Sequence, residues 1–347
     1  MPGELKGDTV TVTDQKEASQ LYSRGNYGYP MKGGGSELDL SEALYLVESD
    51  RLQVVRNGKN ISFDELFREA SKITDAFDVK YQVYRDMRSR GFVVKTRTDA
   101  FDMAVYPRGK TVSNSRPQFM VHAVSERMEL DIGGFSSEIL KIKDQGYEIL
   151  YGVGDEEGDV TYYRMSVRHP EGSVFFDKPE KAAEGVLIGD RVFVSEEEDK
   201  KILKNAGYFG KDAGEMYQLS LIESRYLLEK GLLDVFDKHG NRLSAESMWP
   251  SGEDEDLSLR TSAYFDLRSR GLVVKTGFKY GTHFRVYEGS PDDSHAKYLV
   301  HAVSASDVAT WPEISRTVRL SGGVKKSILF CRIGDRTEYY EFKWFRP

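Results

Sequence analysis

The sequence predicts an α+β fold with mixed sheets, built twice in tandem from one unit. Two repeated segments indicate the duplication. YRDMRSRGFVVKT from Tyr84 aligns with FDLRSRGLVVKT from Phe265 at an offset of 180 positions, and FMVHAVS from Phe119 aligns with YLVHAVS from Tyr298 at an offset of 179. Such self-similarity marks a repeated structural unit. The chain therefore contains two diverged copies of one architecture.

Each copy begins with a small α+β module. LKGDTVTV from Leu5 resembles LIGDRVFV from Leu187, and LSEALYLVE from Leu40 resembles LIESRYLLE from Leu221. The first pair predicts a short strand, and the second predicts an amphipathic helix because its apolar residues recur near helical spacing. A glycine-containing loop, RGNYG or NAGYFG, lies between them.

Each copy continues with a larger, mixed-sheet α/β module. Its opening helix ends at the glycine of RSRG, since basic residues in a last turn followed by glycine favour helix termination. Period-two runs of β-branched and aromatic residues then predict strands. These runs are FVVKT, MAVYP and QFMVHAV in the first copy, and LVVKT, FRVYE and KYLVHAV in the second. A further helix and two more strands close each copy.

Four modules follow from this division. Their predicted bounds, with the linker counted in the third, are 1–76, 77–168, 169–256 and 257–347. Proline, glycine and charged residues predict the linker between the copies around 168–185, and SGEDEDLS at 251–258 is a second candidate hinge.

Composition indicates a soluble globular protein. The 347 residues are 39% hydrophobic and carry a net charge of −7, with acidic residues concentrated in runs such as SEEEDK and GDEEGD. No apolar run is long enough to cross a bilayer, and the start lacks a signal-peptide pattern, so we expect a cytoplasmic protein. Cys331 is the single cysteine, which predicts a packing role and no cysteine-based metal cluster.

Three polar residues of the second copy have no counterpart in the first. Tyr280 lies in GFKYGTHF where the first copy reads RTDAFD, His295 stands in place of Arg116, and Lys326 stands in place of Tyr147. The scaffold residues around them persist in both copies. We therefore predict that Tyr280, His295 and Lys326 carry out chemistry in the second copy only.

The same comparison separates the other histidines. His301 has a partner, His122, in the first copy and is predicted to be structural. His283 has no clear partner, so both a structural and a functional role stay open for it.

Tyrosine, histidine and lysine without clustered carboxylates favour proton transfer with charge stabilisation over metal-assisted hydrolysis. The sequence has no HxH or HExxH pattern, and we predict neither a metal site nor a cofactor. RNA fits this chemistry because its 2′-hydroxyl is its own nucleophile. Histidine, with an unperturbed pKa of about 6.5, can act as the acid, whereas tyrosine, at about 10, needs a nearby lysine to act as base.

At these residues the sequence resembles the archaeal tRNA-splicing endonucleases (tRNA-intron endonucleases), of the homodimeric type with two fused, diverged subunit copies. The resemblance covers nearly the whole chain, including RGNYG, LSEALYLVE, GFKYGTHFRVYE, HAKYLVHAV and YYEFKWFRP. It implies nuclease-like larger modules and excision of introns from precursor tRNA. Both splice sites would be cut at a bulge-helix-bulge by metal-independent transesterification, leaving 2′,3′-cyclic phosphate and 5′-hydroxyl ends.

The resemblance also implies roles for single residues. Tyr280 would be the general base, His295 the general acid and Lys326 the cation that stabilises the transition state. The family reads Ser-Val-Arg-Lys where this chain reads Gly-Val-Lys-Lys, so Lys325 stays an alternative to Lys326. A pair of arginines would clamp a bulge base, and the corresponding residues are Arg319 and Arg346.

The acidic turn GDEEGD is implied to act in dimerisation. The family docks this loop of the degenerate copy into a basic cleft of the partner's active copy, which would use Asp155, Glu156, Glu157 and Asp159. A solvated hairpin loop is the plain alternative. A homodimer would carry two cutting sites, which suits a substrate with two splice sites.

A second function stays open: a non-catalytic RNA-binding or scaffold subunit of a heteromeric RNA-processing complex. The complete tyrosine, histidine and lysine set in the second copy favours the enzyme.

Overall fold

A computed structural model of the protein describes residues 2–134, 137, 142, 146–177, 179–248 and 255–347. The described residues divide into two compact units. Unit 1 contains the chain up to Ser166 together with Val308–Ser315 and Phe342–Pro347, and unit 2 contains Val167–Asp307 together with Arg316–Glu341. None of the described helices combines the length and the apolar character that a bilayer-crossing helix needs.

Unit 1 opens with a small module of one sheet and three helices. The sheet has the order β3-β4-β2-β1-β5-β6. Its strands are β1 Pro2–Lys6, β2 Thr9–Val12, β3 Tyr29–Pro30, β4 Ser36–Asp39, β5 Gln53–Arg56 and β6 Lys59–Ile61. The helices are α1 Gln15–Gly25, α2 Leu40–Glu48 and α3 Phe63–Ile73.

The helix starts of this module are set by local capping. The Asp39 side chain accepts a hydrogen bond from Ser41 N, and Asp39 N donates one to the Glu42 carboxylate, which completes a capping box at α2. Ser62 and Glu65 form the same arrangement at α3. The helices bury their apolar faces, including Leu44 and Leu66, against the sheet.

The larger module of unit 1 has a five-stranded sheet in the order β12-β11-β9-β8-β7. It begins with α4 Phe77–Ser89. Its strands are β7 Val93–Lys95, β8 Met103–Tyr106, β9 Phe119–Ser125, β11 Glu148–Gly154 and β12 Val160–Arg168. Strands β9 and β11 are parallel and the other pairs are antiparallel. A separate short pair joins β10 Glu129–Asp131 to β21 Val308–Thr310.

Unit 2 repeats the small module. Its five-stranded sheet has the order β15-β16-β14-β13-β17. The strands are β13 Ala183–Ile188, β14 Arg191–Val194, β15 Lys211–Ala213, β16 Met216–Ser220 and β17 Leu233–Phe236, and the helices are α5 Glu197–Asn205 and α6 Leu221–Glu229. The described residues between Arg168 and Ala183 form no helix or strand.

The larger module of the second copy begins with α7 Glu255–Ser269. Its sheet has the order β18-β19-β20-β22-β23, with only β20 and β22 parallel. The strands are β18 Val273–Thr276, β19 Phe284–Tyr287, β20 Tyr298–Ser304, β22 Ser327–Ile333 and β23 Glu338–Phe345, and α8 Trp311–Gly323 precedes β22. Of the predicted hinge at 251–258, residues 251–254 lie outside the described residues and 255–258 are the start of α7.

The two larger sheets have the same register. Tyr298 pairs with Ser327 in unit 2 where Phe119 pairs with Glu148 in unit 1, and the antiparallel neighbours β19 and β8 align in the same way. The predicted α+β class and its duplication are therefore confirmed. The shared register also permits comparison of the two copies residue by residue.

Candidate active site

His295 and Lys326 lie at one edge of the unit 2 sheet. Strands β20 and β22 are parallel, and Tyr298 pairs with Ser327, so both strands begin at the same edge. His295 is exposed and precedes β20 by three residues, while Lys326 immediately precedes β22. Lys326 Nζ donates a hydrogen bond to the carbonyl oxygen of Ala296 at 3.0 Å. The structure thus brings the predicted acid and the predicted cation together.

Lys325 and Lys326 differ in their backbone and exposure. Lys325 is exposed and has a φ of 52°, in the left-handed region. Lys326 is half-buried, and its backbone N donates to the carbonyl of Ser321 at 3.1 Å, in the turn that follows α8. Of the two lysines, Lys326 is the one whose ammonium group is fixed beside the segment that carries His295.

Tyr280 lies elsewhere. It ends a short 3₁₀ turn, Phe278–Tyr280, in the hairpin loop between β18 and β19. Because β19 is antiparallel to β20, its first residue, Phe284, pairs with Val300, beyond the start of β20. The loop therefore lies at the opposite end of β19 from His295 and Lys326, and the structure does not bring Tyr280 to them.

A different tyrosine, Tyr287, lies at the edge with His295. It is the last residue of β19, and it is buried in a small cluster with Val273 and Ala296. The Lys297 backbone N donates to the carbonyl of Val286 at 2.9 Å, which holds the end of β19 against the segment before β20. Ala296 thus shares a buried cluster with Tyr287 and accepts the Lys326 hydrogen bond through its carbonyl.

Unit 1 has the equivalent edge with other residues. The shared register places Tyr106, Arg116 and Tyr147 where unit 2 has Tyr287, His295 and Lys326. Burial, and next the electrostatic influence of Tyr147, raise the pKa of Tyr106. The positions of Tyr287 and Lys326 are therefore neighbours in this fold. In unit 1 the edge has neither a histidine nor a lysine at the equivalent positions.

This equivalence shows why Tyr287 was missed in the sequence. The comparison between the copies selected residues that the first copy lacks, and Tyr106 made Tyr287 look like part of the scaffold. The signal that was available is spacing: Tyr287 precedes His295 by only eight residues, at the end of the neighbouring strand.

His283 has a structural environment. Its Nδ1 accepts a hydrogen bond from Ala302 N at 3.0 Å, and in unit 1 Asp102 accepts one from Ala123 N at 2.9 Å. The His283 and His301 ring centroids are 4.2 Å apart. Burial, and next the charges of His301 and Arg260, lower the pKa of His283 to about 3. The Asp256 carboxylate, 3.6 Å from Nε2, would raise the pKa of His283. Burial outweighs this effect, and the hydrogen bond that Nδ1 accepts favours the neutral ring. A neutral His283 therefore supports the sheet.

The two predicted base-clamping arginines differ in setting. Arg319 is exposed on α8 in unit 2. Arg346 belongs to unit 1, where its guanidinium carbon lies 4.9 Å from the ring centroid of Trp344. Trp344 is itself 55% exposed, so a flat apolar surface and a cation lie side by side at the C-terminus.

The acidic loop is the hairpin between β11 and β12. Asp155 Oδ1 accepts hydrogen bonds from the backbone N of Glu157 and of Asp159, so this carboxylate holds the turn together. Glu156 forms an ion pair with Arg127. Glu157 and Asp159 are exposed at the tip and carry the remaining negative charge of the loop.

A cavity of about 360 Å³ in unit 2 opens beside Tyr287. Four cations and three tyrosines line it together with two aspartates: Lys204, Lys211, Lys275, Arg285, Tyr208, Tyr217, Tyr287, Asp212 and Asp292. Lys275 binds the Gly210 carbonyl and Glu223, and Lys204 lies 3.3 Å from Asp292. Among the described residues, Nε of Arg285 is buried without a hydrogen-bond partner. We call this cavity the basic cleft.

The described residues contain no group of three or more His, Cys, Asp or Glu side chains arranged to hold a metal ion.

Comparisons with known proteins identify the family. The tRNA intron endonuclease catalytic C-terminal domain matches residues 77–162 and 257–341, and the tRNA intron endonuclease N-terminal domain matches residues 1–67 and 183–249. The tRNA-splicing endonuclease of Methanococcoides burtonii is 35% identical over 342 residues, which cover 96% of each chain. Those of Methanosarcina mazei and Halobacterium salinarum are 36% and 33% identical over 345 and 351 residues, covering 97% and 96% of each chain. With both domains matched twice, the chain belongs to the tRNA intron endonuclease family.

Proposed function

We propose that this protein excises introns from precursor tRNA by cutting both splice sites at a bulge-helix-bulge. The reaction is a transesterification in which the 2′-hydroxyl oxygen attacks the adjacent phosphorus and the bond to the 5′-oxygen breaks. The products are a 2′,3′-cyclic phosphate and a 5′-hydroxyl. The observation that carries the proposal is the meeting of His295 and Lys326 at one sheet edge in the second copy of the catalytic domain.

His295 acts as the general acid that protonates the leaving 5′-oxygen. Its exposure leaves it accessible to a substrate as large as tRNA, and its place before β20 sets it one residue from the Ala296 carbonyl. Lys326, bound to that carbonyl, supplies a fixed positive charge for the phosphate as negative charge develops in the transition state.

The tyrosine that acts as general base is Tyr287 in this proposal, in place of Tyr280. A base has to reach the same phosphodiester as the acid, and geometry comes before pKa in choosing it. Tyr287 shares a buried cluster with Ala296 and lines the basic cleft, whereas Tyr280 lies at the other end of β19.

The protein acts as a homodimer. The unit 1 edge has Arg116 and Tyr147 in place of the acid and the cation, so each chain contributes one cutting site. A substrate with two splice sites needs two cuts, and a twofold dimer supplies them.

The dimer is held by the acidic loop of one chain in the basic cleft of its partner. Glu157 and Asp159 are exposed at the tip of the loop, and Arg285 in the cleft has a buried nitrogen without a hydrogen-bond partner among the described residues. Complementary charge of this kind directs association and fixes its register.

Arg319 and Arg346 bind the substrate by clamping an unpaired base. Guanidinium groups stack on nucleobases, and unpaired bases are the parts of RNA that such groups can reach. Exposure of Arg319 supports this role, and so does the cation beside an exposed indole at Arg346.

The proposal is tested by incubating the protein with an intron-containing precursor tRNA in excess chelator and analysing the product ends. We expect two cuts with cyclic phosphate ends, and a loss of rate of at least about 100-fold in His295→Ala. His239→Ala, which removes another exposed histidine of unit 2, is the matched control and should cut normally. Cleavage only after addition of a second protein would reject the self-sufficient enzyme and favour a non-catalytic subunit.

A further inference from the structure

Phe278 is an apolar ring held out into solvent by an ordered turn. The side chain is 88% exposed. The turn around it is fixed by hydrogen bonds from Tyr280 N to Gly277 O at 2.8 Å and from Gly281 N to Phe278 O at 3.0 Å, and Gly281 supplies the left-handed φ of 66°. An aromatic ring this exposed does not stabilise the fold through burial. Exposed apolar surface of this kind marks interaction sites.

A second exposed apolar side chain lies beside the turn. A Cβ placed on Gly281 would be 3.8 Å from Cδ1 of Leu320, so the turn touches the outer side of α8. Leu320 is 53% exposed. We call Phe278 and Leu320 the apolar platform. Leu320 lies on α8, and the chain continues from the end of this helix to Lys326.

The two chain segments that carry the platform are positively charged. Segments 277–285 and 314–326 contain no Asp or Glu, although the whole chain has a net charge of −7. Four exposed cations flank the platform: Lys279, Arg316, Arg319 and Lys325. A positive surface around exposed apolar groups favours a polyanion with flat apolar parts over a second acidic protein surface.

The equivalent loop of unit 1 has the opposite character. It carries Asp99 and Asp102, and its phenylalanine, Phe101, is buried with its ring centroid 4.6 Å from that of His122. The first copy therefore lacks a platform at the equivalent loop. The exposed phenylalanine, Phe278, and the cations near it in the sequence belong to the same copy as His295 and Lys326.

We propose that the apolar platform stacks an unpaired nucleotide of the RNA substrate, while the flanking cations neutralise its phosphates. The inference rests on the proposed function and names a contact beyond its catalytic residues. Stacking on an aromatic ring accepts any base, because every base has a flat face. The platform thus recognises that a nucleotide is unpaired, without reading which base it is.

The experiment measures binding of an RNA that carries 2-aminopurine in its unpaired segment, by fluorescence, with a fully paired duplex of equal length as a second ligand. Phe278→Ala should bind the unpaired RNA about tenfold more weakly, because loss of one stacked base lowers the affinity by about this factor. Phe278→Trp should bind it as the unaltered protein does. Neither variant should bind the duplex differently.

The matched control is Phe175→Ala, which removes a phenylalanine of unit 2 that is 70% exposed outside the platform, and it should leave binding unchanged. Equal affinity of Phe278→Ala and the unaltered protein for the unpaired RNA would overturn the inference. So would a change in oligomeric state, measured by sedimentation, with unchanged RNA affinity, since the patch would then be a protein interface. Because the readout is binding, an unaltered protein that binds but never cuts would count against the proposed function and leave the platform intact.

Discussion

Lys326 and His295 reach one edge of the sheet through a shared piece of backbone. Ser327 N donates to Lys297 O, and Lys326 Nζ binds the carbonyl of Ala296, the residue after His295. A cation fixed in this way needs no reorganisation when charge develops on a phosphate. The neighbouring lysine, Lys325, is exposed in a left-handed conformation and has no such anchor in the described part of the chain.

The pair of lysines gives a direct comparison. We expect Lys326→Ala to lower the single-turnover cleavage rate by about 100-fold, because a preorganised charge at the reacting phosphate is lost. At saturating enzyme, Lys325→Ala should stay within about threefold, because this exposed cation contributes to RNA binding and not to the cleavage step. Equal losses in both variants would contradict the assignment of the stabilising cation to Lys326.

His283 predicts a dependence of stability on pH. Its folded pKa of about 3 lies below the unfolded value of about 6.5, so the unfolded chain binds the proton more readily between these values. The free energy of unfolding should therefore fall as pH decreases through this window, by about 1 kcal/mol between pH 7 and 5.5.

The His283→Asn variant tests that dependence. Asparagine can accept the Ala302 hydrogen bond and does not titrate, so urea unfolding of the variant should lose the extra slope below pH 6.5. An unchanged slope would mean that another group is responsible.

Comparison of the two copies predicts His295 and Lys326 as site residues, and it cannot single out Tyr287 because the first copy has Tyr106 at the equivalent position. A comparison of the copies cannot detect a residue that both copies have. Tyr106 is buried, as Tyr287 is, and therefore resembles a packing residue in the sequence. Tyr280 was selected because the hairpin loop around it differs between the copies. In the structure that loop carries the apolar platform.

A lysine at the end of one strand joins the two modules of each copy. Lys95 Nζ binds the Gly28 carbonyl at 2.8 Å and Glu42 at 2.9 Å, and Lys275 binds the Gly210 carbonyl and Glu223. The Lys95 and Glu42 side chains are 7% and 0% exposed, against 15% and 11% for the pair in unit 2. The VVKT motif is therefore shared because its lysine anchors the small module to the sheet.

Removal of this lysine should destabilise the first copy more than the second. Lys95→Met leaves the Glu42 carboxyl buried without its cation, which costs about 3 kcal/mol in the free energy of unfolding. Lys275→Met should cost less because Glu223 is more accessible to water. Urea unfolding, with hydrogen exchange of α2 and α6 to separate the copies, measures both. The opposite order of the two losses would contradict the account.

The strands of the larger modules were predictable because their residues alternate or form short β-branched runs. The small modules were predicted less completely. Strands such as β6 and β15 have only three residues, too few for an alternation to be visible in the sequence. The 3₁₀ turn at Phe278 depends on left-handed glycine geometry and tertiary contact with α8, which no periodic pattern encodes.

The whole molecule contains the same edge twice. Only the second copy has a histidine and a lysine there, at His295 and Lys326, whereas the first has Arg116 and Tyr147. The family domains match 1–67, 77–162, 183–249 and 257–341. The finer module boundaries at 76, 168 and 256 stay predictions.

The proposed dimer gives a prediction at this scale. Reversing the charges at the tip of the acidic loop, with Glu157→Lys and Asp159→Lys together, should shift the protein toward monomer in sedimentation, because like charges then meet at the basic cleft. Glu196→Lys with Glu198→Lys, in the exposed run SEEEDK, is the matched control and should leave the mass unchanged. An intact dimer in the loop variant would remove the loop from the interface.

We propose that Tyr287, His295 and Lys326 together form the cutting site of the second copy. The measurement that tests it most directly is the single-turnover cleavage rate of Tyr287→Phe beside that of Tyr280→Phe, each at saturating enzyme. The account predicts a loss of at least about 100-fold for Tyr287→Phe, where a proton acceptor is removed, and less than about threefold for Tyr280→Phe. The reverse pattern, with Tyr280→Phe slow and Tyr287→Phe normal, would contradict it.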